Sequence, residues 1–252
     1  MFFDLTAASC LDYMEQFSGL LGDPVCYGVG VPHGNGEPVL LIPGFFAGDW
    51  AMAPMARWLR RLGYSPYHSG IDLNLGCPRE KAERLGWRIA GIARETGMRV
   101  TLVGHSLGGV VARSLSATLP AAVSHTIGLG TPVRNEWAVL KGRIRPFVES
   151  IAGFWQHLAG TPAHCGTAKC GCDFAATLCA PRGPSGAFSS VYTREDEVID
   201  WRSCVDRDGA NHEVGGRHVS LIVNREVYRI LARILAERAD ARPAAPTSVA
   251  PF

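Results

Sequence analysis

The chain has 252 residues, and its 25 Lys and Arg against 23 Asp and Glu leave a formal charge of +2, with no basic run of the kind that binds nucleic acid. Hydrophobic residues at 47% and charged residues at 19% exclude disorder for the bulk of the chain and supply a core that needs no staples. No run of eighteen uninterrupted apolar residues occurs, so no transmembrane segment is expected.

From the start of the chain, Met1 to Leu11 lacks a basic n-region, and Asp4 breaks the apolar stretch before an h-region forms. That argues against a secretory signal peptide and for a cytoplasmic location. Val39-Leu40-Leu41-Ile42, stopped by Pro43-Gly44, has the form of a strand buried on both faces. Met52, Met55, Trp58, Leu59 and Leu62 follow at helical spacing, and Gly63 ends that run. Pro78 opens a second helix with Leu85, Ile89 and Ile92 on one face and Gly97 as its stop. Arg99 to Val103 is the next strand, Val110, Val111 and Leu115 mark a helix, and Val123 to Leu129 is a strand ending in Gly130-Thr131-Pro132. Ala187 to Thr193 is a further strand, and the last helix spans Arg225 to Arg238 with Val227, Ile230, Leu231 and Ile234 inward. Strands alternating with amphipathic helices predict an α/β class protein with a mostly parallel sheet flanked by helices. Residues 1–238 are expected to form one domain, and 239–252 a disordered Pro/Ala-rich tail.

Between Ile151 and Ser190 the only charges are Lys169, Asp173 and Arg182, and no clean period survives. A long, weakly periodic segment inside a compact domain is often a binding loop or lid, so residues 133–186 are expected to form a lid or cap insertion, with ordinary subdomain packing as the other reading.

Gly104-His105-Ser106-Leu107-Gly108-Gly109 sits directly after one strand and directly before a helix, the context in which G-x-S-x-G forms a nucleophile elbow. A strand turning at once into a helix holds the serine Oγ out at the strand's end, and side chains at Gly104 and Gly108 would collide with the tight turn. The N-terminus of the helix beginning at Leu107 presents free N–H groups to an oxyanion.

With this elbow, Leu40-Leu41-Ile42-Pro43-Gly44-Phe45 and Gly130-Thr131-Pro132, the chain resembles the α/β-hydrolase superfamily, in its bacterial lipase and esterase branch (triacylglycerol lipase-like). The resemblance spans roughly residues 38 to 235 and implies an α/β-hydrolase fold, onto which the Cys-rich segment would add the lid or cap insertion expected from its composition. It further implies the order nucleophile, acid, base: Ser106 as nucleophile, Asp196 in an Asp-Gly-x-Val-type turn where Glu197 replaces the glycine, and His218 just before the last helix. Asp200 is the alternative acid and His212, in a polar loop from Gly209 to Glu213, the alternative base. The oxyanion donors implied are the backbone N–H groups of Phe45 and Leu107. Phe46, Trp50, Phe154 and Trp155 are candidates for an apolar substrate-binding wall, while His105 has the reading of a packing position. The reaction expected is hydrolysis of hydrophobic carboxylic esters through an acyl-enzyme, with no metal or organic cofactor and a small-molecule or lipid-like ester as the partner. Acyl transfer by the same three residues, or a non-catalytic binding protein on the same scaffold, are the alternatives.

Cys165, Cys170, Cys172 and Cys179 lie close together beside His164, and Cys204 follows the acid loop. Disulfides, a metal site of unusual spacing, and reduced thiols all remain open for these five.

Overall fold

In the computed structural model, which describes residues 2–133, 140–142, 145–159, 174–179 and 187–239, the chain begins with helix α1 (Phe2–Leu21) and a short 3-10 turn (Pro24–Tyr27). Strand β1 (Pro38–Ile42), helix α2 (Ala53–Arg61) and strand β2 (Ser65–His68) come next, then α3 (Pro78–Thr96), β3 (Val100–His105), α4 (Leu107–Thr118) and β4 (Val123–Leu129). Helices α5 (Arg145–Ala159) and α6 (Phe174–Cys179) precede β5 (Phe188–Tyr192), β6 (Ala210–Glu213), a 3-10 turn (Val219–Val223) and α7 (Arg225–Ala239). The six strands form one sheet in the order β2-β1-β3-β4-β5-β6, and every neighbouring pair is parallel.

Burial explains which strands could be read in advance. Every residue of β1, β3 and β4 is buried, because helices cover both faces of the sheet there. Val39 and Leu41 point into a core shared with α2 and α7, while Leu40 and Ile42 point into the opposite core with α3 and α4. β2 carries Pro66 and is only half-buried on an edge, and β6 (Ala-Asn-His-Glu) is a largely exposed polar edge, so neither carries an apolar pattern. The segment Gly209–Glu213, expected as a polar loop, therefore contains the edge strand β6. Likewise, residues 151–159, where no period was evident, belong to helix α5.

Trp58 pins the α2–α7 side of the core. Its ring packs against Tyr228 at 4.5 Å between centroids, and Nε1–H donates to the Val25 carbonyl at 2.8 Å. Removing a buried indole leaves a cavity and an orphaned carbonyl, so Trp58→Ala is expected to lower stability by about 3–5 kcal/mol, measured by urea unfolding.

The topology also says where a ligand belongs. β2, the strand after β1, lies on one side of it, and β4, the strand after β3, lies on the other side of β3, so the direction of winding reverses between β1 and β3. Crevices at the carboxyl ends of strands at such a switch point are where open α/β sheets bind ligands.

Of the five cysteines left open by the sequence, Cys165, Cys170 and Cys172 lie outside the described residues, as does the side chain of Cys179; of the expected tail 239–252, Ala239 ends helix α7 and 240–252 lie outside the described residues. Cys204 is a free, fully buried thiol whose pKa burial pushes up.

Candidate active site

The carboxyl ends of β1 and β3 open into a cavity of about 700 Å³, bordered by Gly44–Ala47 after β1 and by His105–Leu107 after β3. At the junction of β3 and α4, Ser106 has φ 52° and ψ −121°, a conformation that a non-glycine residue adopts only when its surroundings impose it. The imposing contacts are backbone. A Cβ on Gly104 would stand 2.4 Å from the Gly109 backbone, and one on Gly108 would stand 2.3 Å from the Ile42 carbonyl oxygen, so α4 can start this close to the sheet only with glycine at both places. The Ser106 N–H donates to the Leu129 carbonyl at 2.8 Å, which ties the elbow to β4. Leu107 is the first residue of α4, and its N–H, like that of Phe45, has no acceptor among the described residues.

His218 comes to the same cavity from the loop before α7, and Asp196 stands behind it on the turn after β5. Nδ1–H of His218 donates to Oδ2 of Asp196 at 2.6 Å, with the side chains only 4% and 1% exposed. The other carboxylate oxygen, Oδ1, accepts from the N–H groups of Val198 (2.9 Å) and Ile199 (2.7 Å), which fixes the carboxylate plane. Burial alone would raise the Asp196 pKa, but the imidazole and the two N–H donors outweigh it and hold the carboxyl below its ordinary range. Burial alone would lower His218, yet the Asp196 charge and hydrogen bond, with Glu197 adding to them, raise it against an opposing push from Lys141. Oγ of Ser106 makes no hydrogen bond to a described residue.

Of the residues expected at the site, Ser106, Leu107, Phe45, Phe46, Trp50 and His218 border the cavity, and Asp196 is one hydrogen bond behind it. Phe154 lies on α5 with its side chain exposed and does not border the cavity, while the side chain of Trp155 is outside the described residues. Asp200 instead caps the 3-10 turn Trp201–Ser203 and pairs with Arg202, and His212 sits on the outer strand β6 away from the cavity.

Three parts of the site were not foreseen. Helix α1 forms one wall through Ser9, Cys10, Tyr13 and Met14 and also braces the His218 loop. Asp12 accepts from the Arg217 N–H and the Ser220 hydroxyl, and Gln16 accepts from Asn224. The signal was present in the sequence, since Tyr13, Phe17 and Leu20 recur at helical spacing and pack on the core. Glu197 faces the cavity and joins the two segments, accepting from Ser9 Oγ at 2.6 Å and from the His218 N–H at 3.1 Å. His105 is more than packing: its Nε2 bonds the His218 carbonyl at 3.0 Å, and burial together with the neighbouring imidazole lowers its pKa to about 3, so it stays neutral and donates.

Comparison with known proteins agrees with this architecture. Residues 89–166 match the family described as PGAP1-like alpha/beta domain. No curated protein sequence matches the chain. Among solved structures, a Bacillus licheniformis lipase superposes with a TM-score of 0.60 at 16% identity, covering 85% of this chain and 96% of that one. A Paleococcus ferrophilus monoacylglycerol lipase gives 0.54 at 14% identity, covering 82% and 96%. Tomato methylketone synthase I gives 0.57 at 14% identity, covering 81% and 99%. These three carry different names on one architecture, so the reaction has to be argued from the site. The parallel six-stranded sheet, the elbow at its switch point and these superpositions establish that the chain has the α/β-hydrolase fold.

Proposed function

We propose that the protein is a serine ester hydrolase acting on hydrophobic carboxylic esters. Ser106 Oγ attacks the acyl carbon while His218 Nε2 takes its proton, and Asp196 holds the Nδ1–H tautomer and stabilises the imidazolium that forms. The Phe45 and Leu107 N–H groups bind the developing oxyanion, aided by the positive end of α4. The alcohol leaves with the proton from His218, and water, activated by the same imidazole, releases the acid from the acyl-enzyme. The observation that carries this reading is the buried His218–Asp196 pair opening onto the same cavity as a strained serine and two N–H donors that have no acceptor among the described residues.

The substrate class follows from the walls. Phe46, Trp50, Met14 and Val219 surround the mouth, each partly exposed, and Met52, Val110 and Ile222 line the buried interior. An acyl or alcohol chain entering such a space gains about 0.8 kcal/mol per methylene, about fourfold in kcat/KM for each carbon until the cavity is full. The test is turnover of p-nitrophenyl esters from acetate to palmitate, together with labelling by a fluorophosphonate. Rising kcat/KM beyond acetate and a single adduct on Ser106 are expected. A folded protein that cleaves none of the esters and takes no label would overturn the proposal.

A further inference from the structure

Resting on the ester-hydrolase reading, we propose that Asn74, on the loop between β2 and α3, is a positioning residue that aims the Phe45 N–H at the oxyanion. In the segment after β1, the Ala47 N–H donates to the Gly44 carbonyl at 3.2 Å, drawing that carbonyl into a turn. A trans peptide points its N–H opposite its carbonyl, so this turn directs the Phe45 N–H outward from it. The turn does not hold itself. Phe46 sits at φ 58°, a left-handed conformation that a bulky residue keeps only when neighbours hold it.

Asn74 is the neighbour that does so. It is completely buried and bonds this segment three times: its Nδ2–H donates to the Pro43 carbonyl at 2.7 Å, its carbonyl accepts from the Phe46 N–H at 3.1 Å, and its N–H donates to the Ala47 carbonyl at 2.7 Å. The peptide planes before and after the Gly44–Phe45 peptide are thereby tied to one residue. That also explains why the Phe46 N–H is unavailable to an oxyanion while the Phe45 N–H has no acceptor among the described residues. The two loops are zipped further along, where the Asp49 N–H donates to the Ile71 carbonyl and the Asp49 carboxylate accepts from Ser69 and Gly70. Their approach is so close that a Cβ on Gly48 would lie 2.0 Å from the Asp72 carbonyl oxygen. The side chain of Asn74 is the part of this zipper that mutation can remove while leaving the backbone bonds in place. Asn74 itself does not border the cavity, so it acts through the loop and not on the substrate.

The test compares wild type with Asn74→Ala and Asn74→Asp on p-nitrophenyl butyrate, with inhibition by an alkyl trifluoromethyl ketone, whose hemiketal oxyanion occupies the same donors. The expected result is a kcat lower by about tenfold to a hundredfold with KM within twofold, and a trifluoromethyl ketone Ki raised by the factor lost in kcat/KM. Fluorophosphonate titration counts the folded, competent sites, so rates are compared per site even where a variant is less stable. Per-site kcat and Ki equal to wild type would overturn the positioning role while leaving the hydrolase reading intact. A wild type without esterase turnover would overturn both.

Discussion

Replacing Ser106 with alanine is expected to reduce ester turnover by at least about 10⁴-fold while leaving the melting temperature within a few degrees of wild type. The size of the loss follows from the proposed mechanism, in which no acyl-enzyme forms without Oγ and only the oxyanion donors and substrate binding would remain to assist water. The small stability change follows from the structure, because Oγ has no hydrogen-bond partner among the described residues and alanine inherits the same φ of 52°. The backbone ties of this residue, its N–H to Leu129 and its carbonyl to the Gly109 and Val110 N–H groups, are untouched by the change. Steady-state kinetics and a thermal melt on the same sample separate loss of chemistry from loss of fold. Retained turnover in a folded Ser106→Ala protein would exclude this serine as the nucleophile.

The parts of this molecule that were legible in the sequence are those where one physical demand dominates. Strands β1 and β3 are buried throughout, so their apolar runs stand out, and Pro78 and Gly97 bracket α3 because each has a backbone geometry suited to a helix end. The elbow was visible because backbone crowding leaves only glycine at 104 and 108. What escaped notice answers to several demands at once. α1 must pack Tyr13 and Phe17 on the core, offer Asp12 and Gln16 to the His218 loop and leave Leu11 in solvent, which blurs its apolar stripe. Asn74 carries no signal in the sequence at all, since two of its three bonds are made by backbone atoms and the third reaches back 31 residues. Glu197 was legible only as a departure from the resemblance. Its placement gives it a positive reason, as the acceptor that links Ser9 on α1 to the backbone of His218.

Asp196→Asn is the second change expected to cost about 10⁴-fold in kcat, and the hydrogen bonds around it explain why a nearly isosteric substitution is so damaging. Oδ1 faces two N–H donors, from Val198 and Ile199, so an asparagine there must place its carbonyl oxygen on that side. The amide NH₂ then faces His218 Nδ1, which can only accept from it. The ring proton is forced onto Nε2, and the imidazole can no longer take the proton of Ser106. Turning the amide over would restore the tautomer but leave both backbone N–H groups without an acceptor, a loss of two buried hydrogen bonds. The same variant has a signature in pH. In wild type the Asp196 charge raises the pKa of His218 above its ordinary 6.5, so the acidic limb of kcat/KM lies above that value, activity rising with pH as the imidazolium loses its proton. Removing the carboxylate charge takes away that support while burial and Lys141 continue to favour the neutral ring, so the limb of the residual activity moves to lower pH. A large drop in kcat with a limb displaced downward identifies Asp196 as the partner of the base. An unmoved limb with near wild-type kcat would exclude it.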